Sequence, residues 1–324
     1  MNTFERIDTV ADRIVAGLDA EREWTGKQIT EPGIYRGVPI DVYHHRTDLF
    51  DRFSISSSGL KRVAHRPSEY WAFSPFNPDR EPEERSAELN FGAAAHCLLL
   101  GDEDFAARYA IRPEELDGKP WQGNRTVCKE WLEAMAALGK IVVTPTDIAT
   151  IGRISEALRR HPLVADGLLS GRAERTMCVR SGSIWIKSRP DIVPTGGIFA
   201  DLKTAADVSD DGIMRAIAAS GLHIQAGLMR KIARELGMPF DDFALIFVEK
   251  APPFDVRVKV LKPETLDIGE RQVNVAIKTV ERCLREGRWP GFDGFGNAEG
   301  YTELPSWAAT RIKTDLEVDE REMA

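Results

Sequence analysis

The sequence has few cysteines, and none of them are paired in motif form. Cys97, Cys128, Cys178 and Cys283 lie far apart, with no C-x-x-C among them. That spacing excludes a zinc ribbon, an iron–sulfur cluster and a disulfide framework. Buried free thiols in a reducing compartment are the expectation. Long apolar runs are also lacking: none approaches the roughly 18 residues that a membrane-spanning helix needs. The opening "MNTFERIDTVADRIVAGLDAERE" carries early acids and no apolar signal region. It does not read as a secretory signal, and a cytoplasmic location with no membrane partner is expected. Basic charge is in deficit, with 43 Lys and Arg against 51 Asp and Glu, a net −8. This argues against a globally basic nucleic-acid module, although an acidic body can carry a local basic channel. There is no internal repeat and no low-complexity tract, so a solenoid is excluded.

What is present is an ordinary globular composition, 43% hydrophobic and 29% charged over 324 residues, enough for a sizeable core. Apolar spacing predicts a helix over residues 3–20. "GIYRGVPIDVYH" reads as an extended pair around a glycine turn, and "SISSSGLKRVAHRPSEYW" as a serine-capped short helix followed by Pro67. "NPDREPEE" is an exposed loop. Helices are predicted over 86–100, over 128–138, and from Thr144 with Pro145 at its first position. The character then changes. "AERTMCVR", "IWIKSRPDIV" and "GIFADLKTA" read as three successive strands. A helical stretch broken at Gly221 follows, then a strand pair around Pro252 and Pro253, then a helix from Pro263 to about Gly287. Helices, a meander, a crossover helix and more strands imply an α/β fold with a mixed sheet flanked by helices.

The chemistry concentrates in "SRPDIVPTGGIFADLKTA", residues 188–205. A hairpin from Ile184 to Ala205, turning at Pro194 to Gly197, sets Asp191 nearly opposite Asp201, at the 4.5 to 5.5 Å spacing of cross-strand neighbours. Strand alternation points Asp201 and Lys203 to one side. Two carboxylates suit Mg²⁺, which keeps several waters and meets a phosphate, and the lysine can orient water or stabilise developing charge. An acid-x-Lys triplet alone carries little weight. With 51 acids and 13 lysines, about two arise by chance, and Asp117-Gly118-Lys119 is a second. "DLK" differs because the apolar run "GIFA" leads into it.

"RPD" followed by "DLK" resembles the PD-(D/E)xK nuclease signature. More specifically, the chain resembles RecE-type exonucleases (exodeoxyribonuclease VIII) and related phage and prophage nucleases of the RecB-like branch. The resemblance runs over residues 35–307. "ISSSGLKRVAHRPSEYW" is similar to that family's entry segment, "FGAAAHCLLL" to its Gly-x-x-x-His helix, "AERTM" to its glutamate-bearing strand, "HIQAGLM" to its His-x-Gln helix, and "LPSW" to its closing segment. The tyrosine often found in the His-x-Gln helix is absent. The resemblance implies a restriction-endonuclease-like core over residues 35–307, an N-terminal helical extension over 1–34 and an acidic, flexible tail over 308–324. It implies a Mg²⁺-dependent DNA exonuclease, with Mn²⁺ as substitute, acting 5′ to 3′ from duplex ends. Such enzymes feed single strands to an annealing recombinase, and family members form rings. An endonuclease or single-strand-directed nuclease of the same fold is one alternative. A non-catalytic phage or prophage DNA-binding protein is another.

Residue by residue, the resemblance gives Asp191, Asp201 and His96 to the metal. Lys203 joins the two aspartates and Gln225 as catalytic, with Glu174, Arg189 and His223 accessory. His96 has a competing role as a packed core histidine among alanines. Glu174 is equally an ordinary strand acid, Arg189 is a phosphate-facing or a structural arginine, and "SSSG" at 56–59 is a helix cap, of a kind that can also bind phosphate. His223 and Gln225 stand about 200° apart on a helix and cannot both face one point. Tyr70, Trp71, Phe73 and Phe76 are expected in the core rather than stacked on bases.

Overall fold

A computed structural model describes residues 21–82, 86–101, 105–296, 300 and 302–323. The helix expected over 3–20 lies outside the described residues. The first described elements are β1 (Glu21–Glu23), β2 (Gly33–Arg36), α1 (Ile40–His45), β3 (Ser54–Ser56), α2 (Ser57–His65), α3 (Pro67–Phe73) and α4 (Ala87–Leu100). Then come α5 (Phe105–Arg108), β4 (Tyr109–Ile111), β5 (Glu115–Leu116), β6 (Lys119–Pro120), α6 (Thr126–Ala137), β7 (Ile141–Val143), α7 (Pro145–Arg160) and α8 (Pro162–Ala165). The strand-rich half holds β8 (Arg172–Ala173), β9 (Thr176–Ser181), β10 (Ile184–Ser188), β11 (Ile192–Val193), β12 (Ile198–Ala205), α9 (Asp210–Ala219), α10 (Leu222–Glu235), β13 (Asp242–Glu249), β14 (Val256–Val260) and α11 (Pro263–Glu286). The chain divides into two compact units, one ending at Trp289 and one beginning at Pro290. In the second, the segment expected as an acidic tail lies within a helix, α12 (Ser306–Met323).

Two five-stranded mixed sheets form, ordered β1-β2-β9-β10-β3 and β14-β13-β12-β11-β8. The fold class is the expected α/β with a mixed sheet among helices. The long hairpin from Ile184 is corrected, because "IWIKSRPDIV" is two strands in two sheets. β10 pairs with β9 and β3, whereas β11 pairs with β12 and β8. The cause is Pro190, which has no N–H to continue the ladder, and the chain changes sheets there. "PIDVYH" is also corrected from extended to helical. Gly37 makes the expected turn at φ +76°, but Pro39 then leads into α1, which buries Tyr43.

Other local signals act as expected. Ser56 and Ser86 cap α2 and α4 through their side chains. Thr144 and Asp147 form a reciprocal capping box at α7, satisfying N–H groups the helix leaves open. Gly221, at φ +59°, separates α9 from α10. All four cysteines are buried and free.

β12 runs parallel to β13 through eight paired positions, and both strands are buried on both faces. Ala200, Leu202, Ala244 and Ile246 pack on one side with α7. Phe199, Leu245 and Phe247 pack on the other with α10 and α11. Helices α10 and α11 meet at two glycines. A Cβ on Gly269 would lie 1.9 Å from the His223 carbonyl oxygen, and one on Gly227 would lie 2.3 Å from the Glu270 nitrogen. That close approach fixes α10 over the sheet. No helix among the described residues is long and apolar enough to cross a membrane.

Candidate active site

Ile192 pairs with Ala200, and continuing that antiparallel register places Asp191 opposite Asp201. Asp191 Oδ2 accepts from the Leu202 N–H at 2.7 Å, which ties the two strands at this point. Asp201 and Lys203 continue the inward face of β12 that Phe199 begins, so the buried strand delivers charge at its end. Asp201 is 2% exposed and Asp191 9%.

Three other elements close on this pair. His96, on α4, sets its Nδ1 3.2 Å from Asp191 Oδ1. The helix carries buried Ala94 and Ala95, and its small Gly92 faces Thr204. Gln225, on α10, donates from Nε2 to Asp201 Oδ1 at 2.7 Å. Lys61, on α2, donates to Gln225 Oε1 at 3.4 Å and to the Ser220 carbonyl at 3.0 Å. Lys61 offers only protons and Asp201 only lone pairs here, so together they fix which end of the Gln225 amide faces the carboxylate. Lys203 forms an ion pair with Asp201 Oδ2. That oxygen is buried, and the ammonium lies directly against it.

Burial alone would raise the Asp191 pKa, yet His96, Lys203 and the Leu202 N–H outweigh it and hold the carboxyl well below the usual range. Asp201 moves the other way: its burial, with the Asp191 charge beside it, outweighs Lys203. Two close buried carboxylates drive their pKa values apart in this manner. Burial would lower the lysine and the histidine, but the carboxylates win at both, so Lys203 and His96 are raised. The carboxylates thus dominate the electrostatics of the site, and Lys203 is held as an ammonium.

Glu174, expected in a strand, instead sits between β8 and β9 at φ +55°. Its N–H donates to the Asp191 carbonyl at 3.3 Å, and its carboxylate accepts from Arg189 Nε at 2.6 Å. Arg189 also donates to the Val38 carbonyl at 2.7 Å, which ties the sheet-changing segment to the β2–α1 connection. Glu174, His96, Lys203 and Thr204 line a cavity of about 530 Å³. The structure does not bring His223 to this cavity. Its ring meets Gln272 on α11 at 2.7 Å and the Ile217 carbonyl at 3.4 Å, on the other side of α10 from Gln225. Tyr70 is buried, and Trp71 stacks on Trp289 at 4.8 Å, so these aromatics pack.

The donor set fits a hydrated hard cation. Two donors on an octahedral ion with bonds of about 2.1 Å stand about 3 Å apart, and His96 Nδ1 and Asp191 Oδ1 are separated by 3.2 Å. The buried Asp201 Oδ2, which faces the Lys203 ammonium, is a further oxygen donor. Among the described residues no three His, Cys, Asp or Glu side chains form a complete ligand group. The arrangement therefore suits an ion held by one or two carboxylates and waters, not an all-protein cage.

A buried strand pair carrying Asp and Asp-x-Lys, with a glutamine from α10, the second helix after β12, has the arrangement of the PD-(D/E)xK class of fold. Residues 56–299 match the model of a family described as a PDDEXK-like domain of unknown function, DUF3799, and the chain belongs to that family. Among solved structures, a candidate exonuclease from Eubacterium rectale is similar over 78% of this chain and 90% of its own, at 16% identity and a TM-score of 0.53. A phage-related exonuclease from Haemophilus somnus 129PT covers 61% of this chain and 96% of its own, at 14% identity and a TM-score of 0.30. No curated protein matches the sequence. The first likeness supports the fold, and the family match places the chain in the nuclease superfamily that its motifs resemble.

Proposed function

We propose that the chain is a divalent-metal-dependent DNA exonuclease of the RecE type, with its nuclease domain over residues 35–307. The observation that carries this reading is the Asp191, Asp201 and Lys203 cluster at the end of a buried strand pair. Asp191 and Asp201 would hold Mg²⁺ or Mn²⁺ with waters, and His96, beside Asp191, is the further residue that would approach the ion. A bound ion supplies Lewis-acid charge to a phosphodiester and a nucleophile at neutral pH. Lys203 keeps its proton at Nζ and stabilises negative charge on the phosphoryl oxygens, acting as an electrostatic group rather than a base. Gln225 holds Asp201 in orientation. Glu174 and Arg189 brace the segment that carries Asp191.

In this reading the enzyme acts in the cytoplasm on duplex ends, 5′ to 3′, and leaves single strands for an annealing recombinase. A ring of subunits keeps it on the strand. The test is digestion of linear duplex labelled at the 5′ or the 3′ end, with Mg²⁺, beside a closed circle. Loss of 5′ label as mononucleotide, with the circle intact, is expected. Cutting of the circle would make it an endonuclease, and no digestion of any form would leave a non-catalytic binding protein.

A further inference from the structure

Lys61 lies on α2, whose Leu60 and Val63 pack into the core. Its ammonium turns instead to the junction of α9 and α10. Two acceptors meet it there, the Ser220 carbonyl at 3.0 Å and Gln225 Oε1 at 3.4 Å. Gly221 leaves room for the lysine stem, since a Cβ at that position would lie 3.0 Å from Lys61 Cδ. The first contact has an ordinary structural role. Ser220 closes α9, and a helix end leaves carbonyls open. That role uses one of three ammonium protons and does not account for the contact with Gln225.

The backbone of Gln225 is placed without Lys61. Helix α10 starts at the Gly221 turn and is seated on α11, where a Cβ on Gly269 would meet the His223 carbonyl oxygen at 1.9 Å. What the backbone leaves open is the side-chain amide, whose two ends have nearly the same shape. Among the described residues that amide has two hydrogen-bond partners. Nε2 donates to Asp201 Oδ1 at 2.7 Å, and Oε1 accepts from Lys61. A bare carboxylate is enough to draw the nitrogen inward. A divalent cation on that carboxylate reverses the preference, because it attracts the carbonyl end of the amide and repels the amino end. Lys61 is then the group that keeps the oxygen turned away. Burial and Lys203 bring its pKa down to about 8 against the pull of Asp201, so it carries its proton at pH 7.

We propose that Lys61 is a positioning residue, which holds the Gln225 amide with its nitrogen toward Asp201 and its carbonyl oxygen away from the bound cation. The places around the ion are thereby left to water and the phosphodiester. The inference rests on the metal-dependent nuclease reading for the cation, but not for the hold of Lys61 on Gln225.

The first arm of the test uses the metal-free full chain. Urea unfolding at pH 7 is compared for wild type, Lys61→Met, Gln225→Leu and the double variant. A direct hold makes the two substitutions non-additive, coupling the unfolding constants by a factor of about three or more. Additive effects overturn the hold, whether or not the chain is a nuclease. Lys61→Gln, whose own amide can face either way, takes the place of Lys61→Met if that variant does not fold. The second arm measures Mg²⁺ affinity by calorimetry and kcat on linear duplex. Lys61→Met is expected to bind Mg²⁺ more tightly and to turn over more slowly, each by about threefold or more, because a carbonyl takes a place that water needs. A lysine that only supports the fold gives weaker binding and slower turnover together, and that result overturns the proposal. Removing an ammonium also tightens cation binding through charge alone, and the Gln225→Leu background separates the two causes. In that background Lys61→Met is expected to tighten Mg²⁺ less and to add no further loss of kcat. Equal tightening in both backgrounds assigns Lys61 to charge alone and overturns the positioning role. No Mg²⁺ binding in wild type overturns the cation role together with the nuclease reading, while the metal-free coupling still decides the hold.

Discussion

Lys187 should make the free protein less stable, and replacing it by methionine should raise stability at neutral pH. Burial lowers its pKa from the usual 10.5 to about 8. A difference of that size corresponds to about 3 kcal/mol between the charged and neutral forms in the fold. The sign follows from proton counting. Below pH 8 folded and unfolded chains both hold the proton, and the full penalty applies. Between pH 8 and 10.5 the unfolded chain binds the proton and the folded chain does not, so stability rises with pH. Above 10.5 the penalty is gone. Methionine conserves most of the volume and loses the bond to Tyr43, about 1 kcal/mol. Lys187→Met should then be about 2 kcal/mol more stable than wild type at pH 7, and about 1 kcal/mol less stable near pH 10.5. Urea titrations of both proteins, with unchanged m-values, read the difference directly. Lys61 is also lowered to about 8 by burial, but its contribution is common to both proteins and cancels. A variant less stable than wild type at pH 7, or a gap that does not move with pH, would show that the Tyr43 carbonyl and the two rings fully satisfy Lys187 and refute the reasoning.

Lys203→Ala should bind duplex ends and metal nearly normally while digesting about 10² to 10³ more slowly, the usual effect of losing one transition-state charge. Lys119→Ala, in the chance triplet, should match wild type, and Lys203→Arg should not restore full rate because a planar fork does not replace a compact ammonium. Asp201→Asn should weaken Mg²⁺ binding sharply in calorimetry, and Ca²⁺ should bind wild type without supporting turnover, since its looser coordination positions water poorly. His96 must be neutral to hold a metal and its pKa is raised, so the rate should fall as pH drops through that raised value, and a pH–rate profile of His96→Gln should lack this limb. Gly269→Ala should destabilise the fold by at least 1 to 3 kcal/mol, the scale of overpacking, because its new methyl would meet the His223 carbonyl at 1.9 Å; an unchanged thermal midpoint would mean that α10 and α11 can separate freely.

The parts of the fold that depend on neighbours in sequence were legible. Ser86, Thr144, Gly221 and Gly287 mark helix ends by local capping chemistry, and the structure uses each of them there. The hairpin register was legible for the same reason: a short turn and a two-residue period leave one way to set Asp191 against Asp201. What failed was partner choice over distance. "IWIKS" and "DIV" look like one strand, and Pro190 reads as a local blemish until the second sheet is seen to claim β10. "PIDVYH" carries a strand-like composition, but burying Tyr43 as one turn of helix wins.

The same division governs the site. Asp191, Asp201 and Lys203 come from one hairpin, so spacing alone could group them. His96 and Gln225 come from helices, and only the family resemblance placed them near the carboxylates. Lys61 and Lys187 had no such signal. Lys61 reaches Gln225 across 164 residues of sequence, and Lys187 in "IWIKS" reads as the solvated position of an alternating strand. Its burial arises because α1 and Phe50 cover that face of β10, a packing decision made some 140 residues upstream. A charge that local pattern assigns to solvent, and that tertiary packing buries without an acid, conflicts with stability at every level of the fold.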